Sequence, residues 1–318
     1  GAVSITGNAN KVAIKDINAI NLGAVTAAGT YNVTAGGNIT DSGGQVIDGA
    51  ATFVTSGDLP TLTVTGAPGA LIEGETITGL TSGATGIVRL GASGGTTVTY
   101  HATSGTFQAE TIRGGTSTVT KAVTAVADVT ITLDHADNRF GSLSITGNAG
   151  ATVNSAGAVE LTGQTLLGNL IVTAGGAVTD TGTWDVTGVT TISASGYDVT
   201  LDQATHDFAT IGVTGAAVTV VDENALVLGA STVTGAYTIT AGGAVKDEGT
   251  QEITGITTIT AQNSSSVNQA VTLNTATNNF ADEVRITGAA VTVVDEDALV
   301  LGASTVTGAY TVTAGGAI

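Results

Sequence analysis

The chain has 318 residues, 46 of them glycine and only two proline, with no cysteine or methionine and 3% aromatic residues. It carries 26 acids against eight bases, a net charge of −18. That field repels phosphate backbones and anionic headgroups, which speaks against nucleic acid and membrane surfaces as partners, and no apolar run approaches the ~18 residues of a membrane span.

Val, Thr, Ala and Gly dominate, and β-branched residues favour strands, so the reading is all-β with few helices. Residues 1–57 open it. "SITGNAN" at 4–10 matches "SITGNAG" at 144–150, so Gly1 corresponds to Gly141 and the chain starts one residue into a repeated unit. It starts at Gly rather than Met, as expected of a processed product or a piece of a longer array. Val3 and Ile5, then Tyr31 and Val33, alternate with polar residues as inward and outward positions of strands do. Asn32 and Asn38 head Asn-x-Thr sequons, which also arise by chance.

Residues 58–126 interrupt this pattern. "DSGGQVIDGAATFVTSG" (41–57) matches "DTGTWDVTGVTTISASG" (180–196), and the host text resumes at "DVTITLDHADNRF" (128–140). The interruption holds both prolines, Pro60 and Pro68, with Arg89, Arg113 and Lys121. A weak internal duplication, "EGETITGLTSGATGIV" (73–88) and "QAETIRGGTSTVT" (108–120), predicts a small antiparallel β-module that projects from a corner of its host. Gly91-Ala92-Ser93-Gly94-Gly95 has the spelling of a nucleophile elbow, but no helical pattern follows it, so it reads as a Gly-rich turn.

Residues 127–318 carry the repeat in full. Phe140, Phe208 and Phe280 lie 68 and 72 residues apart and divide the chain into units 140–207, 208–279 and a partial 280–318. "TAGG" recurs at Thr34, Thr173, Thr240 and Thr313, preceded by Tyr31, Leu170, Tyr237 and Tyr310. Each unit holds three strand–turn passages, giving a coil of roughly 19–25 residues. That length suits a parallel β-helix whose coils stack one strand spacing apart, with Phe over Phe and Tyr over Tyr, and with Gly-Gly turning corners at positive φ.

The chemistry-bearing residues of this part have bland readings. Asp222-Glu223 and Asp295-Glu296-Asp297 are paired acids at equivalent places, suited to solvated turns or to calcium bridging and ill suited to a glycosidase pair, since they recur in successive units. His101, His135 and His206 lack metal-ligand spacing, with His135 and His206 in related turns. Asn263-Ser264-Ser265 is a third sequon. Thr-x-Thr at Thr232/Thr234, Thr238/Thr240, Thr258/Thr260 and Thr311/Thr313 follows from Thr pointing out wherever Val or Ile points in, so ice binding is not required to explain it. No catalytic, cofactor-binding or metal site is expected.

"FGSLSITG", "LTGQTLLGNLIVTAGGAVTDTG" and "TISASGYDVTLDQATHDF" together resemble the repeats of filamentous haemagglutinin-like bacterial exoproteins and adhesins over 1–57 and 127–318. The resemblance implies a right-handed parallel β-helix, secretion, and roles in adhesion or biofilm cohesion. The family's secretion domain with its Asn-Pro-Asn motifs is not in this stretch. The insertion is similar to small β-modules of phage structural proteins and bacterial exoproteins.

The expected function is therefore mechanical: a stiff, acidic segment of an extracellular or cell-surface fibre, with more of the same polypeptide or further copies end to end as partners. The insertion is the candidate contact for a glycan or cell-surface ligand. Lack of oxidisable Cys and Met suits that location. The competing readings are a polysaccharide-degrading β-helix enzyme and a phage tail fibre or tailspike. The enzyme would want a groove with aromatics, and only Trp184 and five tyrosines are at hand.

Overall fold

A computed structural model of the chain describes residues 2–55, 61–66, 71–91, 96–104, 107–127, 129–147 and 149–318. No helix occurs among the described residues. Two structures account for the strands: one continuous parallel sheet wound as a solenoid, and a closed six-stranded antiparallel barrel.

The coils follow from alternation of apolar and polar residues. Strands such as Val218–Asp222 and Tyr237–Ala241 bury every second side chain and leave Thr outside. Each coil has three sides: Val218–Asp222, Leu226–Leu228 and Ser231–Val233 pair with Tyr237–Ala241, Val245–Asp247 and Gln251–Ile253 one coil later. The column Val159–Val178–Val199–Val218–Tyr237 runs in register through five successive coils, at a strand spacing of about 4.8 Å. Within it the chain takes 19 to 21 residues per coil. The coil from Val245 to Val271 is lengthened by an additional hairpin closed by Gln262 and Asn268.

Phe140, Phe208 and Phe280 all point into the core, at most 1% exposed. They do not sit over one another. Phe208 ends the column Gly147–Leu166–Val186–Phe208. Phe280 ends the column Gly215–Val233–Ile253–Phe280. Gly147 stands seven residues after Phe140, and Gly215 seven after Phe208, which is about one side of the coil. The repeat of some 70 residues is thus three coils plus one side, and each unit's phenylalanine lands on the next face. Phe140 follows the same course through Ala9, Ala27 and Ile47. Every such column starts small and ends in an aromatic ring. Other rings fill the core edge to face, as in Tyr31–Phe53 at 5.8 Å and Phe53–Phe140 at 6.0 Å.

The Gly-Gly corners serve close approach rather than positive φ. A Cβ on Gly242 would lie 2.0 Å from the Glu223 carbonyl oxygen, and one on Gly243 would lie 2.7 Å from the Ala225 nitrogen. Neither is among the glycines of positive φ. Stacked corners bring backbone against backbone, and only hydrogen fits between.

The barrel comprises Thr61–Val64, Thr76–Gly79, Thr85–Gly91, Thr97–Ser104, Thr111–Gly114 and Thr120–Ala127, paired antiparallel throughout. It encloses its own core of Leu62, Val64, Ile77, Val88, Val98, Tyr100, Phe107, Ile112 and Val123. Rather than standing clear of its host, it leans on the flank of the solenoid, where Leu167 packs against that core.

Candidate functional site

The paired acids divide their labour. Asp222 and Asp295 occupy the inward slot after Val218/Val220 and Val291/Val293, and each is 2% exposed, whereas Glu223, Glu296 and Asp297 face solvent. Asp222 Oδ2 accepts the Phe208 N–H at 2.7 Å and Oδ1 accepts the Asn224 N–H at 2.8 Å. Asp295 does the same for Phe280 at 2.7 Å and Asp297 at 2.9 Å. Burial pushes the Asp222 carboxyl up to about 6, against the pull of the two amide donors. These first acids are corner fasteners, not solvated turns. Among the described residues, no three His, Asp or Glu side chains converge as a metal site.

A second fastener holds the residue two before each phenylalanine. Asn138 accepts the Gln45 N–H at 2.8 Å and donates to Asp41 at 2.6 Å. Asn278 accepts the Gln251 N–H at 2.9 Å and donates to Asp247 at 2.6 Å. His206 takes this role in the middle unit: Nδ1 accepts the Trp184 N–H at 3.1 Å, which leaves the proton on Nε2, 2.8 Å from Asp180 Oδ2. The imidazole therefore stands in for a carboxamide. All three side chains are fully buried. The sequence comparison that set His206 beside His135 missed its true counterparts, Asn138 and Asn278, although their common distance from Phe was there to be read.

The remaining candidates are scattered. His135 lies in a turn, where its Nδ1 accepts the Asp137 N–H at 3.2 Å. The side chain of His101 lies outside the described residues, as do residues 92–95 of the elbow-like stretch. Asn32 is exposed on its strand, Asn38 accepts the Thr130 N–H at 3.1 Å, and Asn263 accepts the N–H groups of Ser265 and Val267. Trp184, Tyr31, Tyr100 and Tyr237 are buried, and Tyr197 is 48% exposed. Thr179, Thr200, Thr219, Thr238 and Thr258 form one outward column, beside which Thr240, Thr260, Thr287 and Thr305 form another.

The barrel carries a cleft flanked by a cation. Its two copies of Glu-Thr-Ile clasp each other. Glu75 accepts the N–H groups of Thr116 and Ser117 and the Ser117 hydroxyl, the last at 2.9 Å. Glu110 accepts the N–H groups of Thr81 and Ser82 and the Ser82 hydroxyl. Burial raises the pKa of both carboxyls, but these donors outweigh it and hold them below the ordinary range. Strands Thr76–Gly79 and Thr111–Gly114 pair with Thr78 opposite Arg113, and a cleft of about 320 Å³ opens there, lined by Thr78, Leu80, Arg113, Gly114 and Gly115.

Repeats of unknown function (DUF5649) match residues 9–67, 146–214, 215–287 and 288–318, so the chain belongs to that family. Neither a curated protein nor a solved structure matches it.

Proposed function

We propose that this member of a repeat family is a structural segment: a stiff, acidic stretch of a long secreted or cell-surface fibre, of the filamentous haemagglutinin-like kind, with the barrel as its contact module. The observation that carries this reading is the unbroken parallel register from coil to coil, as in Val159–Val178–Val199–Val218–Tyr237. Hydrogen bonds of such a ladder run along the axis, so tension loads many of them together. Two further features support it. The buried acids Asp180, Asp222, Asp247 and Asp295 are occupied in fastening coil corners. The barrel is grafted at one corner of the solenoid and has a core of its own.

Electron microscopy of the native material tests the reading. Continuous single-chain filaments a few nanometres wide are expected. Discrete trimeric particles would replace it with a phage fibre. Turnover of an acidic polysaccharide, abolished by one carboxylate substitution, would replace it with an enzyme.

A further inference from the structure

The two halves of the barrel carry Glu75-Thr76-Ile77-Thr78-Gly79-Leu80-Thr81-Ser82 and Glu110-Thr111-Ile112-Arg113-Gly114-Gly115-Thr116-Ser117. Six of the eight positions are identical, and structure accounts for most of them. The glutamates and serines form the reciprocal clasps, and Ile77 and Ile112 are fully buried. A Cβ on Gly79 would lie 2.4 Å from Glu110 Oε1, and one on Gly114 would lie 2.6 Å from Glu75 Oε2. The two positions that differ are Thr78/Arg113 and Leu80/Gly115. Those four residues supply four of the five that line the cleft.

Within this eight-residue stretch the two copies thus differ only where the cleft is lined. Leu80 gives one wall, and Gly115 has no side chain at the matching place beside Arg113. Thr78 sets a hydroxyl across from it. Arg113 has no ion-pair partner among the described residues. The module is also electrically unlike its host: residues 58–126 hold four acids and three bases, against 22 acids and five bases elsewhere.

We propose that this cleft binds a carboxylate-bearing sugar residue of an acidic glycan. The guanidinium pairs with the carboxylate, Leu80 covers an apolar face of the ring, and Thr78 with the glycine backbone meets ring hydroxyls. A fork of N–H donors matches a carboxylate in two contacts. The volume lies at the small end of ligand clefts, which run from about 300 to 1,000 Å³. This rests on the barrel being the contact module of the fibre, and it names what is contacted.

The test is titration of the isotope-labelled full chain with a glucuronate tetrasaccharide, a glucose tetrasaccharide and inorganic sulfate, reading backbone amide shifts. Glucuronate is expected to move Gly114 and Gly115, and glucose to leave them still. Arg113→Gln weakens binding by about tenfold, Leu80→Gly weakens it as well, and Arg89→Gln leaves it unchanged. Equal shifts with glucose or with sulfate alone, unaltered binding by Arg113→Gln, or still amides under glucuronate would overturn the assignment. Filament formation by Arg113→Gln, seen in the microscope, separates loss of this site from failure of the rod.

Discussion

His206 and Asp180 meet at 2.8 Å inside the solenoid, both side chains fully buried, in the place that Asn138 and Asp41 and Asn278 and Asp247 hold in the neighbouring units. The same two bonds are made each time, one to a carboxylate and one from a backbone N–H. His206→Asn therefore keeps the bonding and loses ring packing against Trp184 and Phe208, which lie 5.7 and 5.2 Å from it. It should cost about 1–2 kcal/mol. His206→Leu keeps bulk but strands Asp180 Oδ2 and the Trp184 N–H, and should cost about 3–5 kcal/mol. Urea unfolding of the two variants gives the order, and a milder Leu than Asn would contradict the assigned role.

Asp222 gives the fold a pH dependence of opposite sense to a salt bridge. Its folded pKa is raised from 3.8 to about 6 by burial, so between about pH 4 and 6 the folded chain holds the proton more tightly than the unfolded one. The stability from this group is complete below the unfolded value and is lost as pH rises through 6. The difference in urea midpoint between the parent and Asp222→Asn should shrink, or turn in favour of Asn, from pH 4 to pH 7. A difference that grows with pH would show the carboxylate to be preferred in its charged form.

Gly242→Ala is expected to strain the solenoid by about 1–3 kcal/mol, because the added methyl meets the Glu223 carbonyl oxygen of the coil before it at 2.0 Å. Backbone cannot swing aside as a side chain can. Thermal unfolding should show the loss, and a neutral result would mean that adjacent corners can part without affecting the ladder.

The barrel should answer separately from the rod. Glu75→Ala frees the amides of Thr116 and Ser117, at about 1–3 kcal/mol. Hydrogen exchange should speed up at Ile77 and Ile112 in the barrel core and stay unchanged at Ile239 and Ile259 in the solenoid core. Acceleration at all four would mean that the two cores unfold together.

The solenoid was legible because stacking makes most inward slots apolar, and Tyr237 with Ile239 or Val284 with Ile286 shows that locally. What stood over what was not legible. Phe140, Phe208 and Phe280 reveal the length of the unit but not the number of residues in a coil, which the corners set. A period of 68 read as three whole coils puts ring over ring, when in fact Val186 lies beneath Phe208 and Ile253 beneath Phe280. Asp222 looked solvated because it is an acid beside a turn, yet its place two after Val220 already marked it as inward. The clasps of Glu75 and Glu110 reach turns 41–42 and 28–29 residues away, and no local pattern carries such a bond.

The extra side in every unit would govern how a fibre built of such units meets its surroundings. Loops at a given place in consecutive units, the barrel graft among them, emerge about a third of a revolution apart, like treads on a spiral stair. Three units bring them back to the same bearing. Because wide rings and bare glycines are dealt out evenly to all three sides, such a shaft has no soft plane in which to buckle, and anything it displays is offered to every quarter rather than along one seam.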